Sequence, residues 1–430
     1  MTQANSLRIG LLGQFGIGNL GNEGSLEAML RVLRKRLPEA ELICICTHPD
    51  IVSKAHGVEC TPLKIAGAKG ILNRALLGMP GRIANLAHAI RQASKLDVLI
   101  VPGTGILDDF NESPLGLPYD LWRWTLGARL GGARVGFVSV GAGPITRSLS
   151  RFLMKGAAHR ARYRSYRDLP SKAFMKGIAR WADMDPVFPD LAFSLPPPRP
   201  APRPAKAPII VAVGVMAYYG WAGSVRDGRE IYEDYIAKLA RYVGWLVETG
   251  RRVKFVIGKD KDIQAVNDVT RSVLALRASH AEGLEPFEAA RNLDDVMAQM
   301  AGADIAVVTR FHNLVCALKA GRPTISLGYA KKNEALLTEM GLAEFSQDVE
   351  TFDLERLKFQ TGQLLADRTA HEQAIRRRVG DYAEQLAHQE NLLAERWLKP
   401  RASQAARRIT APEADQRMLR QSMRTRPVDE

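Results

Sequence analysis

The residues with the clearest chemical meaning lie close together. Arg310 and His312 occur in the run Val307-Val308-Thr309-Arg310-Phe311-His312-Asn313, and Lys332 closes Tyr329-Ala330-Lys331-Lys332. Residues 304–308 read as a short buried strand, residues 313–320 as a helix, Gly321 as its stop, and residues 324–328 as the next strand. An Arg, a His and a Lys therefore fall just past the carboxyl ends of successive strands. In an open α/β sheet that edge is where ligands bind. The trio suits a small anion. A guanidinium grips carboxylate or phosphate through two hydrogen bonds, an ammonium adds a point charge, and an imidazole titrates near neutrality.

Three further segments carry polar side chains at strand ends. Gly13 to Gly24 is a glycine-rich loop whose amides suit an anion or polar ligand, although it is not a clean GxGxxG and has no Walker lysine. Within it Asn19, Asn22 and Glu23 are candidates to hydrogen-bond sugar hydroxyls; a loop that merely shapes a cleft is the other reading. The loop Gly103 to Asp109 ends in adjacent carboxylates. Asp108 or Asp109 could take a proton from an acceptor hydroxyl, or simply brace the loop. Arg167 follows a short strand-like stretch and is placed to face a cleft, while Asp168 caps the next helix. No GxSxG occurs, so a nucleophilic serine triad is not indicated. Cys44 and Cys46 alternate along a predicted strand and read as core residues, because no second Cys/His pair has zinc spacing.

The elements that must hold these residues alternate strand and helix. Residues 7–12, 41–46, 96–101 and 134–140 read as strands, with a helix from about Ser25 to Leu37. That alternation predicts a parallel, doubly wound sheet over residues 1–195. Residues 196–208 then hold seven prolines, which predicts an extended linker. A second series starts at Ile209, with helix 230–249, strand 252–257, helix 261–278 and strand 304–308, and gives a second domain over 209–345. Residues 346–400 read as helices that pack back across both domains, and 401–430 as a disordered basic tail.

Composition narrows the functional classes. The chain has 430 residues, 46% hydrophobic and 25% charged, the profile of a soluble globular protein with two domains. Its formal charge of +14 favours anionic partners. Nucleic acid is disfavoured, because zinc-finger, RRM and helix-turn-helix signatures are lacking. With no apolar run of about 18 residues and no signal-peptide layout, the expectation is a cytoplasmic protein. The stretch Ile71–Ile90 mixes apolar residues with Arg74, Arg82 and His88. It reads either as a packed helix pair or as a weak peripheral contact with the inner face of a membrane.

In their order along the chain, these motifs resemble the polysaccharide pyruvyl transferase family. The family's G-x-G-N-x-G-D-E segment is matched by Gly16-Ile17-Gly18-Asn19-Leu20-Gly21-Asn22-Glu23, and its G-x-G-x-L-x-D loop by Gly103 through Asp109. Tyr166-Arg167-Asp168 matches V-R-D. Arg310, His312, Gly321, Pro323, Tyr329 and Lys332 match R-x-H with the following G-x-P and Y-x-x-K. The resemblance implies a GT-B-like α/β fold, with two Rossmann-like domains facing a cleft. It implies transfer of pyruvate from phosphoenolpyruvate, the co-substrate, to a free or lipid-linked sugar, usually as a ketal bridging two hydroxyls. No other cofactor and no metal is expected. Arg310, Lys332 and Arg167 would then bind the donor, and Asn19, Asn22 and Glu23 the acceptor. His312 and Asp109 would be catalytic, His312 either as acid or as stabiliser of the departing phosphate. One position departs: Asn22 stands where the family often has Asp, which points to a different acceptor or lower activity. Two rival functions share this layout, a GT-B glycosyltransferase using a nucleotide sugar and a non-catalytic glycan-binding member.

Overall fold

The computed structural model describes residues 6–65, 79–109, 112–198, 204, 207–220 and 226–398. Two parallel sheets organise them. The first contains β1 (Arg8–Leu12), β2 (Glu41–Cys46), β3 (Glu59–Pro62), β4 (Val98–Pro102), β5 (Arg134–Val140) and β6 (Tyr163–Tyr166). Its spatial order is β3-β2-β1-β4-β5-β6. The second contains β7 (Ile210–Gly214), β8 (Arg252–Val256), β9 (Ile305–Val308), β10 (Thr324–Gly328) and β11 (Ser346–Asp348), in the order β11-β10-β9-β7-β8. Helices cover both faces, so strands such as β5, Arg-Val-Gly-Phe-Val-Ser-Val, are buried along their whole length. Chain direction across the sheet reverses between β1 and β4 in the first sheet and between β7 and β9 in the second. Such reversals open a crevice at the carboxyl ends of the strands. The loops after β1 and β4, and the turn after β9, are the segments singled out by their polar residues.

The halves meet closely at one helix. The helix Leu20–Arg36 is capped by Asn19, whose side chain accepts from the Gly21 amide at 3.2 Å. It begins five residues before the expected Ser25. Glycines at 21 and 24 look like loop residues, but each is required by the other half of the molecule. A Cβ on Gly21 would lie 2.0 Å from His312 Nδ1, and one on Gly24 would lie 2.1 Å from Leu293 Cδ1. Backbone bonds reinforce the contact: the Leu20 amide donates to Gly258 O at 3.2 Å, and the Asp260 amide to Gly18 O at 3.3 Å.

The C-terminal helices tie both halves together. Helix Leu354–Ala366 joins the second half through Thr361 and Tyr242, whose hydroxyls are 2.8 Å apart. Helix Arg368–Leu392 returns to the first, where Gln389 donates to Ser165 Oγ at 2.8 Å. Beyond it the Trp397 ring covers Gly136 of β5.

Two details differ from the sequence reading. The second sheet runs on to β11, past residue 345, and β3 was not anticipated. Both are short edge strands with little apolar patterning. The stretch Ile71–Ile90 is described only from residue 79, where helix Met79–Ala93 packs against helix Leu117–Leu130; Arg74 lies outside the described residues, as does the tail 401–430. His88 in that helix approaches Pro62 O at 3.1 Å and stands edge-on to Trp124, so it is a packing residue. Among the described residues no helix is long and apolar enough to cross a membrane.

Candidate functional site

A cavity of about 180 Å³ opens where the two sets of strand ends face each other. The first half contributes Gln14, Asn19, Asn22, Thr104, Asp108 and Arg167 to its wall; the second contributes Arg310, Phe311, His312, Tyr329 and Lys332. Residues up to 318 positions apart in the chain, Gln14 and Lys332, thus share one small space.

The cations are held by different means. Arg310 ends the turn after β9 and caps helix Phe311–Lys319. Its guanidinium grips Asp262, which is fully buried at the start of helix Asp262–Leu276, through Nε and through Nη2 at 2.6 Å. One bidentate edge is therefore committed to the fold, while the residue also lines the cavity. The sequence reading gave the whole fork to a ligand. Asp262 explains the difference, since it lies 48 residues away and carries no local signal. Arg167 leaves β6 nearly buried, bonds Asp190 Oδ2 through Nη1 at 3.2 Å, and stacks 4.5 Å from the Phe311 ring centroid. A Cβ on Gly141 would meet that guanidinium at 2.7 Å, which is why the strand end before it carries glycine. Lys332, in the first turn of helix Lys331–Glu339, sits 5.5 Å from the Phe311 ring and 5.1 Å from the Tyr329 ring. Phe311 is thus a shared aromatic support for Arg167 and Lys332.

His312 packs on the Gly21 backbone, with Nε2 3.7 Å from Asp190 Oδ2. That is ion-pair range but too long for a hydrogen bond, and Nε2 has no hydrogen-bond partner. Burial lowers its pKa to about 4, with Asp190 pulling up and Arg167, Lys332 and Arg310 pushing further down. The imidazole is accordingly neutral near pH 7. Two other buried polar atoms of residues that line the cavity also lack hydrogen-bond partners: Thr104 Oγ1, and Arg167 Nε, which stands 3.5 Å from Asp168 Oδ2.

Asp190 and Tyr329 extend the set found by sequence. Asp190 sits just before the proline-rich segment, joins Arg167 to His312, and has its other oxygen fixed by the Ala192 amide at 3.0 Å. It was missed because both contacts are made across long stretches of chain. Tyr329 matched a motif but received no role. Burial raises its hydroxyl pKa, yet Lys332, Arg310 and Arg167 together hold it below the usual tyrosine value.

Two expected site residues face elsewhere. Asp109 does not line the cavity. Its carboxylate accepts from the Thr146 amide at 2.9 Å, the Thr146 hydroxyl at 3.2 Å and the Arg147 amide at 3.0 Å, bracing the segment before helix Ser148–His159. Burial raises its pKa but these bonds outweigh that and hold it below the ordinary value. Its neighbour Asp108 is the one on the cavity wall. Glu23 folds back to accept from the Gly16 amide at 2.7 Å, so it shapes the glycine loop instead of lining the cavity. Asn19 and Asn22 do reach the wall, Asn19 while capping its helix and Asn22 while donating to Gln14 O at 3.2 Å.

Away from the cleft, Cys60 of β3 pairs in register with Cys44 of β2, and the three sulfurs of Cys44, Cys46 and Cys60 lie within 4.8 Å of one another. Spacing alone concealed this, since β3 was not expected. Three thiols form an incomplete zinc set, and among the described residues no fourth ligand joins them.

No curated protein sequence matches the chain. Among solved structures, UDP-GlcNAc 2-epimerase from Neisseria meningitidis bound to UDP-GlcNAc aligns over 90% of this chain and 99% of its own, at 11% identity and TM-score 0.55. The UDP-GlcNAc 2-epimerase from Methanocaldococcus jannaschii aligns over 83% and 92%, at 11% identity and TM-score 0.54. A glycosyltransferase from Rickettsia africae ESF-5 aligns over 91% and 100%, at 10% identity and TM-score 0.55. These likenesses establish the GT-B type of fold. The family model for polysaccharide pyruvyl transferases matches residues 19–331, a span that begins at the Asn19 cap and ends one residue before Lys332. The chain therefore belongs to the polysaccharide pyruvyl transferase family and is a transferase.

Proposed function

We propose that the chain transfers pyruvate from phosphoenolpyruvate to two hydroxyls of a sugar in a cell-surface or exopolysaccharide precursor. The observation that carries this reading is the cavity itself: Arg167, Arg310 and Lys332 line it together with His312, and all three cations act on the imidazole. Phosphoenolpyruvate carries a carboxylate and a phosphate on three carbons and can use several cations at once. A cavity of about 180 Å³ is in keeping with a donor of only three carbons.

The chemistry needs a proton at the methylene carbon and a sugar oxygen at the adjacent carbon. The methylene becomes the methyl group, and the first hydroxyl gives up its proton. The second hydroxyl then displaces phosphate from the same carbon, releasing a second proton. The balance is one diol plus phosphoenolpyruvate giving one ketal plus inorganic phosphate. Of the two carboxylates offered as acceptor base, Asp108 takes the role, in place of the Asp109 that the resemblance implied. His312 is neutral near pH 7 and becomes an acid only once a bound anion raises its pKa. Arg310, Arg167 and Lys332 hold the donor and stabilise the departing phosphate.

Release of inorganic phosphate from phosphoenolpyruvate, assayed with and without sugar diols, tests the reading. Phosphate release that requires both a diol and Lys332 supports it. Binding of a nucleotide sugar but not of phosphoenolpyruvate would replace it with the glycosyltransferase reading.

A further inference from the structure

A second cavity, of about 500 Å³, adjoins the first. The two share Asp108, Arg167 and Lys332 as a common wall. Their characters are opposite. Away from the shared wall the larger one is lined chiefly by Ala142, Pro144, Pro170, Ala173, Phe174 and Ala330, with Asp168 and Lys331 as its charged members. Small residues keep it open: a Cβ on Gly143 would stand 3.2 Å from Asp108 Cβ, crowding the shared wall.

We propose that this cavity is the acceptor subsite, and that it holds a pyranose by its apolar C–H face with the hydroxyl rim turned to Asp108. The inference rests on the pyruvyl-transfer reading for the role of the smaller cavity. The argument for a pyranose is chemical. A sugar ring is two-sided, with C–H bonds presented on a face and hydroxyls around the edge. The face matches an aromatic ring and proline walls, and Phe174 supplies the ring. The edge needs polar partners, and they occur where the cavities meet. A carboxylate there can receive a proton from the attacking hydroxyl, and two cations stand beyond it to hold an anionic donor. A volume of about 500 Å³ lies within the range of ordinary ligand pockets. The acceptor then enters from the side of helix Leu169–Ile178, which carries Pro170, Ala173 and Phe174. Asn19 and Asn22 line only the smaller cavity, so they contact the donor side instead of the acceptor ring.

Saturation-transfer NMR on the full chain tests this with methyl β-galactopyranoside and methyl β-mannopyranoside as probes. Both carry hydroxyl pairs that one carbon can bridge. Hexanol is included to detect a site that merely collects apolar molecules. The expected result is saturation of pyranoside ring C–H protons in the native protein, with little transfer to hexanol. In Ala173→Trp, which fills the cavity from its exposed rim, the pyranoside signal should fall at least fivefold while phosphoenolpyruvate affinity stays within twofold. Phe174→Ser should raise the acceptor KM about tenfold or more, and Phe174→Tyr should restore it. Loss of phosphoenolpyruvate binding in the native protein, with pyranoside signals that still vanish in Ala173→Trp, would sink the donor assignment and leave the subsite standing. The subsite is overturned if neither pyranoside is saturated, if hexanol alone is, or if the signals survive Ala173→Trp.

Discussion

The strand ends of β9–β10 and those of β1 play unlike parts in one cavity. The first carries charge: Arg310, His312 and Lys332 all reach the wall. The second carries fit. After β1 the polar side chains mostly serve the backbone, with Asn19 capping a helix, Asn22 bonding Gln14 O and Glu23 closing on Gly16. Its main contribution is the bare Gly21 surface, which lets the His312 ring approach. The difference separates two kinds of sequence signal. A charged residue one or two positions past a buried strand has few directions to point in, so its role follows from local periodicity. A glycine in the first turn of a helix has a meaning that depends on what packs there, and that partner is nearly three hundred residues away.

The largest effect should come from the charged side. His312→Ala is expected to lower turnover by about 10²–10⁴, the worth of a positioned acid, while donor affinity changes much less. Because burial holds the free imidazole near 4, donor binding around pH 7 should draw in a proton. Calorimetry in two buffers of unlike ionisation heat would show that uptake in the native protein and its loss in the variant. Near-normal turnover in His312→Ala would move the acid elsewhere, with Tyr329 the next candidate on the wall.

Arg310 and Lys332 should part company in a way the sequence alone did not suggest. Arg310→Ala strands Asp262 as a buried charge, and breaking a buried pair costs about 3–5 kcal/mol of stability. Its effect on donor binding would be masked by unfolding. Lys332→Ala leaves no such orphan, so it should fold normally and lose about 1.5–3 kcal/mol in donor binding, tenfold or more in affinity. Urea unfolding and donor titration on both variants check this. Equal stability of the two would mean that the Arg310–Asp262 pair does not carry the structural burden assigned to it.

The fit side is tested by Gly21→Ala. Its Cβ would overlap His312 Nδ1 at 2.0 Å, so either the ring or the helix must move. Overpacking of this kind costs about 1–3 kcal/mol. The displaced ring should lower turnover as well, whereas Gly362→Ala, inside helix Leu354–Ala366 where a Cβ would meet nothing, should leave turnover unchanged and add about 0.5–1 kcal/mol of stability. If Gly21→Ala leaves both stability and rate unchanged, the close approach of the two halves is not what orients His312.

Legibility followed the same division. The strands β2, β5 and β10 fall where periodicity puts them, at Glu41–Cys46, Arg134–Val140 and Thr324–Gly328. The cationic cluster was readable because each member sits at such a strand end. Counter-charges were not. Asp190 and Asp262 occur in unremarkable local contexts, and only the fold brings them to Arg167 and Arg310. Asp108 and Asp109 show the limit most sharply. They are adjacent and identical in type, and a rotation of one residue sends one to the cavity and the other to the Thr146 amide.

Glu23 offers the smallest effect, and one with a definite sign. Burial is the main cause that pushes its carboxyl up to about 7; the Gly16 and Ile17 amides pull it down, and Asp260 across the junction pushes it further up. In an unfolded chain a glutamate titrates near about 4.3. The folded value is the higher one, so the folded state binds the proton more tightly. The stability this provides is fully present below about pH 4 and is lost as pH rises through about 7. Glu23→Gln keeps an oxygen for the Gly16 amide but cannot ionise. The variant should therefore gain on the native protein as pH rises, by on the order of 1 kcal/mol at pH 8 once solvent screening at a partly exposed site is allowed for. Thermal unfolding at pH 5, 6.5 and 8 reads the gap directly. A native protein that is the more stable of the two at pH 8 would mean that the ionised carboxylate holds the glycine loop more strongly than burial opposes it. The loop after β1 would then depend on charge as much as the cluster after β9 does.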